Sequence, residues 1–241
     1  MNAIAKFSKA LIKDAWQEFF GGKGEFGELT QKTALVFEGS LSREVCDTLI
    51  QEIERVLADR SHPRIWRDAL GADCRILGFE KDIGGLIDHF EIKRRLLAIG
   101  EYLGTPIQSW HLMANRVVPR EDNLGSGGGW HRDSPYSHEV KCIWYLNDVA
   151  SENGPFQFLP DSHRKTIAMR KEYPLGDSRF EALMAEDMPV EVTGKAGSLL
   201  VCDTKCVHRG KPIEEGARYA VTIYTSPNAE DKKRRVINIE D

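Results

Sequence analysis

Six short apolar runs crowd the second half of the chain, and they constrain its fold more than any other feature. They lie at 107–118, 140–147, 155–159, 189–193, 197–202 and 218–225. Turn residues separate them, at 125–129, Asn153-Gly154, Gly194 and Glu215-Gly216. Short runs bounded by turn signals read as strands, and many of them in one stretch read as a sandwich or barrel. The first 105 residues have a different texture. Ile4, Phe7, Leu11, Ile12, Trp16 and Phe19 follow helical spacing until Gly21-Gly22 ends the pattern. The segment 33–39 (TALVFEG) reads as a short buried strand. Ser42 is placed to cap a helix running to about Asp59, with Cys46, Leu49, Ile50, Ile53 and Val56 inside. Residues 60–88 carry no clear period, and a third helix is expected over 90–103. The expected organisation is one domain over 1–241. Residues 1–105 give mostly helical support, 106–226 a β-barrel core, and 227–241 a tail.

Composition narrows the function classes. With 41% apolar and 29% charged residues, the 241-residue chain has the make-up of an ordinary globular protein. Its 33 basic and 37 acidic side chains leave a net charge of −4, with no bulk attraction to nucleic acid. The balance suits a small-molecule substrate. Five scattered cysteines read as reduced thiols. Lys6, Lys9, Lys13 and Asp14 interrupt the N-terminal segment, unlike a signal peptide, and no stretch reaches the ~20 apolar residues of a membrane span. A cytoplasmic location is the expectation, with no membrane partner.

Three residues carry the chemistry. His131 and Asp133 flank Arg132 directly after the glycine-rich run 126–129. In an extended segment, residues i and i+2 point the same way, so imidazole and carboxylate can converge on one ion. His208 follows another apolar run. Two histidines and one carboxylate on one face of an octahedron leave three positions open, the facial triad of non-haem Fe(II) oxygenases. Alone, an H-x-D is a common accident, and a lone histidine is more often a surface or capping group. Arg218, ten residues after His208, adds to the pattern. Period two places Arg218, Ala220, Thr222 and Tyr224 on one face. If that face lines a barrel, the guanidinium needs an anion, and its fork suits a carboxylate. A 2-oxo acid can then chelate iron at one end and meet the arginine at the other. A rim arginine paired with Glu214 or Glu215 is the alternative.

The segment from Cys142 to His163, with an aliphatic strand, an acidic turn, Asn153-Gly154-Pro155 and Leu159-Pro160-Asp161-Ser162-His163, resembles the phytanoyl-CoA dioxygenase family. The stretch 197–210, ending Val207-His208-Arg209-Gly210, is similar too, and the likeness covers about 108–226. The resemblance implies a double-stranded β-helix (jelly-roll, cupin-like) fold, mainly β with flanking α-helices. It implies a dioxygenase using Fe(2+), 2-oxoglutarate and O2, which hydroxylates an aliphatic C–H and releases succinate and CO2. By position, His131, Asp133 and His208 match the iron ligands and the catalytic centre, and Arg218 matches the 2-oxoglutarate anchor. Trp144, in Cys142-x-Trp144, matches a segment where some members place a tryptophan near the cosubstrate. Asn115 sits near a position where members use a polar residue. Related halogenases carry a small residue in place of the carboxylate, so Asp133 argues for hydroxylation. Desaturation, epimerisation and ring closure share the same ligands and stay open.

The chain also departs from that pattern. Only seven residues separate Asp133 from Lys141, Asp161 replaces a usual glycine, and Arg132 fills a position that is commonly uncharged. Other signals have plainer readings. Cys202 and Cys206 have zinc-site spacing without an obvious fourth ligand, and 125–129 lacks the Lys-Ser/Thr of a P-loop. The basic run 232–235 reads as a solvated tail, and His163 as support for the fold. His111 and His138 are candidate substrate contacts. A non-catalytic metal-binding barrel and a zinc-dependent hydrolase remain as alternative functions.

Overall fold

The structure is a computed structural model that describes residues 3–134, 137–164 and 188–227. The basic run 232–235 lies outside these residues. Helix α1 spans Ala3–Phe20, α2 Arg43–Ala58 and α3 Ile92–Leu103. Ten strands accompany them: β1 Ala34–Phe37, β2 Ile65–Arg67, β3 Asp73–Leu77, β4 Ser109–Val117, β5 Val140–Tyr145, β6 Phe156–Phe158, β7 Val190–Val192, β8 Leu199–Asp203, β9 His208–Gly210 and β10 Arg218–Ser226. Seven form a major sheet in the order β1-β8-β5-β10-β4-β3-β2, and β7-β6-β9 form a minor one. Every recorded strand pair is antiparallel.

The two faces of the major sheet do different work. Cys74, Ile76, Leu112, Ala114, Cys142, Trp144, Leu199, Val201, Val221 and Ile223 join one apolar core with Leu49 and Ile53 of α2 and Ile99 and Tyr102 of α3. Alternate residues face the minor sheet, where Leu200 and Cys202 pack with Phe156, Phe158 and Val192. Period two therefore sorts each strand into a core face and a face towards the minor sheet. The Ser42 hydroxyl accepts from Val45 N at 3.3 Å and starts α2.

Three expectations need correction. The two sheets face each other without closing into one hydrogen-bonded barrel among the described residues. Beside its helices, the stretch 1–105 supplies β1, over the run read as a strand, and also β2 and β3 to the major sheet. The aperiodic stretch 60–88 holds two of those strands, which at three and five residues are too short to show a period. Lastly, α1 forms, but two side chains of its apolar stripe are uncovered: Ile12 is 67% and Phe19 75% exposed. No helix among the described residues is long and apolar enough to cross a membrane.

Candidate metal centre

His131 and His208 exchange two backbone hydrogen bonds, each 2.9 Å, as an isolated antiparallel bridge. Residues paired this way stand directly opposite, so their side chains leave the same face. Their ring centroids lie 4.4 Å apart. Asp133 N donates to Thr204 O at 3.2 Å, which continues the pairing and brings the carboxylate to the same side. One Asp133 oxygen lies 3.9 Å from His131 Nε2 and the other 3.6 Å from His208 Nε2. The three ligand atoms fall within 4.8 Å of one another.

The protonation pattern suits a cation. His131 Nδ1 lies 2.8 Å from Gly129 O and His208 Nδ1 3.0 Å from Cys206 O. A carbonyl only accepts, so each Nδ1 carries the hydrogen and each Nε2 is left as the acceptor nitrogen. Burial, then the neighbouring His131, pushes His208 from the ordinary 6.5 down to about 3, and burial lowers His131 as well. Burial raises the Asp133 carboxyl, but the Lys141 ammonium paired with it outweighs that and holds it ionised. Two neutral imidazoles and one carboxylate fit a divalent metal ion of the non-haem iron type.

These shifts set an acid limit on the metal-free protein. An imidazole whose folded pKa is depressed stays neutral where the unfolded chain gains a proton. Its stability contribution is complete above about 6.5 and falls as pH drops through the window to about 3. From His208 alone, stability at pH 5 should be about 2 kcal/mol below that at pH 7.5. Urea unfolding at the two values measures it, and equal stabilities would refute the neutral pair.

A cavity of about 120 Å³ opens beside the triad, between the sheets. Its wall is built in rows across the major sheet. Arg75, Asn115, Ala220 and Tyr145 are cross-strand neighbours in one row, and Met113, Thr222 and Ile143 in the next. Arg218, Ala220, Thr222 and Tyr224 all line the cavity, as period two requires of one strand face. Arg218 is 5% exposed and donates to Gly154 O. Among the described residues no carboxylate pairs with it, neither Glu214 nor Glu215. Asn153-Gly154-Pro155 therefore supplies a carbonyl to the arginine besides shaping a turn.

Two glycines keep this space open. A Cβ on Gly127, which has φ 92°, would lie 2.2 Å from His131 Cε1. A Cβ on Gly210 would come within 3.0 Å of the Arg218 guanidinium. Gly127→Ala should displace the His131 ring and weaken metal binding by about 10- to 100-fold. Titration with Co(II) tests this, and wild-type affinity in the variant would contradict it.

Trp144 is a correction. It stands on the core face of β5, fully buried, with its ring edge-on to Phe90 at 4.9 Å and its indole N–H donating to Ser40 Oγ at 3.0 Å. Ile143 and Tyr145 line the cavity instead. Cys202 and Cys206 are buried in an apolar cluster, and among the described residues the group that could hold a metal ion is His131, Asp133 and His208, without either thiol. His138 pairs with buried Asp203, which also accepts from Tyr102 at 2.7 Å, and does not line the triad cavity. His111 stacks on Tyr224 at 5.2 Å. His163 Nδ1 meets Thr33 Oγ1 at 3.2 Å, a support for the fold. Asp161 has φ 55°, the left-handed conformation in which a glycine is favoured and aspartate tolerated. Arg132 points away from the ion site and donates to Ser162 O at 2.6 Å.

Sequence reasoning missed Arg75, Tyr145 and Lys141 as cavity residues. Arg75 is held by Asp73 at 2.6 Å and lies 4.8 Å over the Trp66 ring. Nothing in the aperiodic stretch pointed to it. Lys141 did leave a signal, as the one charged residue in the apolar run 140–146.

Comparisons with known proteins bear on the fold and the family. The chain resembles the epimerase SnoN, solved with Fe3+, alpha ketoglutarate and nogalamycin RO, at 16% identity, 88% coverage of this chain, 84% of that one and a TM-score of 0.65. It resembles HygX from Streptomyces hygroscopicus, solved with nickel and 2-oxoglutarate, at 17% identity, 83% and 85% coverage and a TM-score of 0.59. AviO1 from Streptomyces viridochromogenes Tue57 is similar at 20% identity, 90% and 96% coverage and a TM-score of 0.62. At these identities the likeness establishes the fold. A comparison with curated proteins returns no match. The sequence profile of phytanoyl-CoA dioxygenase (PhyH) matches residues 34–218, and the chain belongs to that family.

Proposed function

We propose that the protein is an Fe(II)- and 2-oxoglutarate-dependent dioxygenase that hydroxylates an aliphatic C–H of a small-molecule or carrier-bound substrate. The observation that carries this reading is Arg218, buried in the cavity that also holds the triad and without a carboxylate partner among the described residues. His208 and Gly210 are the ends of β9, and Gly210 lies against the Arg218 guanidinium. Two residues of extended strand span about 7 Å, room for a five-carbon diacid between the triad and the arginine. His131, Asp133 and His208 would hold the ion, and Arg218 would grip the far carboxylate. Asn115, 5% exposed on the cavity wall, offers an amide to the same ligand. When bound, the iron and 2-oxoglutarate supply the oxidising power, with succinate and CO2 as co-products. The protein's own part is to orient the ligands and keep both Nε2 atoms unprotonated. SnoN, named an epimerase, and SnoK, named a carbocyclase, share the fold, so this fold serves oxidative outcomes besides hydroxylation.

Anaerobic titration of the Fe(II)-loaded protein with 2-oxoglutarate tests the reading by visible absorption. A weak charge-transfer band, absent in His131→Ala, is expected. Iron bound with no band would remove 2-oxoglutarate from the reaction.

A further inference from the structure

Lys141 is an expensive residue for its position. It interrupts the apolar run of β5, is 7% exposed, and points into the triad cavity. Its ammonium pairs with Asp133 Oδ2 and lies 4.5 Å from the Tyr224 ring centroid. An aliphatic side chain would fill the same volume without desolvating a charge. The two Asp133 oxygens explain why a cation serves here. Oδ1 lies 3.9 Å from His131 Nε2 and Oδ2 3.6 Å from His208 Nε2. An ion seated between the imidazoles is within reach of either oxygen, or of both.

From this geometry we infer that Lys141 is a positioning residue that pins Oδ2 and so limits Asp133 to one metal bond. The inference rests on the triad being a metal site. A metal with six positions gives three to His131, His208 and one Asp133 oxygen. A chelating 2-oxo acid takes two more, and one remains for a small ligand. If Asp133 closed on the ion with both oxygens, that last position would be lost. The Tyr224 ring face holds the ammonium in place by cation–π attraction.

The test uses the full chain, loaded anaerobically with Fe(II) and 2-oxoglutarate, with nitric oxide as the probe of the last position. Binding is read by electron paramagnetic resonance. Lys141→Met is expected to retain Fe(II) and 2-oxoglutarate but to bind nitric oxide at least tenfold more weakly. Lys141→Arg should recover most of the affinity. Wild-type nitric oxide affinity in Lys141→Met, or loss of its Fe(II), overturns the assignment. A second measurement needs no variant. Wild-type protein with carbon-13 in its aspartate carboxylates is compared by infrared spectroscopy before and after Zn(II) loading. A wide gap between the antisymmetric and symmetric carboxylate stretches is expected, as for one-oxygen binding. A narrow gap overturns the role of Lys141 whatever the variants do. Failure of the wild type to take up either metal is a different result, because it removes the metal-site reading itself.

Discussion

Replacing Arg218 with methionine should weaken 2-oxoglutarate binding about 100-fold and leave Fe(II) binding within about twofold. The guanidinium lies at the Gly210 end of β9, away from the imidazole nitrogens. Two charge-assisted hydrogen bonds to a carboxylate contribute roughly 3 kcal/mol together, which is about two decades of affinity. Methionine fills much of the volume but offers no donor, so Gly154 O also loses its bond. Lysine restores the charge without the planar fork and should recover only part of the loss. The anaerobic charge-transfer titration measures all three chains. An unchanged 2-oxoglutarate affinity in Arg218→Met would move the anchor elsewhere, with Arg75 the next cation on the cavity wall.

Trp144→Ala should cost about 3–5 kcal/mol of folding stability and change 2-oxoglutarate affinity less than twofold. The ring is fully buried against Phe90, and its N–H is satisfied by Ser40, so truncation leaves both a cavity and an orphaned hydroxyl partner. Urea unfolding gives the first quantity and the titration the second. The opposite outcome, normal stability with lost 2-oxoglutarate affinity, would return Trp144 to the cosubstrate site. The pair of variants separates two alternate faces of one sheet. Arg218 acts on the ligand side and Trp144 on the core side, although they stand on adjacent strands.

Much of this protein was legible in one dimension. The strand runs after residue 105, the Ser42 cap and the third helix follow from local pattern. Such signals depend on neighbours within a few residues. The H-x-D pair was equally local, since alternation alone turns His131 and Asp133 the same way. On β10 a charged residue in an apolar run marked the inward face, and alternation carried the mark to Ala220, Thr222 and Tyr224. On β5 the same logic was available through Lys141, but a tryptophan drew attention to the other face. Period two states which residues share a side. Which side is the cavity depends on what packs against the sheet, and α2 and α3 decide that.

What the tertiary structure alone decided is the closure of the site. His208 reaches His131 through a two-bond bridge between segments 77 positions apart, and no local spacing encodes that partner. The short strands β2 and β3 gain their identity only by pairing beside β4, which is how Arg75 arrives at the cavity. Gly127 and Gly210 look like ordinary turn residues until the His131 ring and the Arg218 guanidinium are set against them. Local pattern set the elements, their alternating faces and the residue types for a metal and an anion. Only the folded chain decided their convergence, because long-range contacts are chosen by the packing of whole surfaces and not by the periods within them.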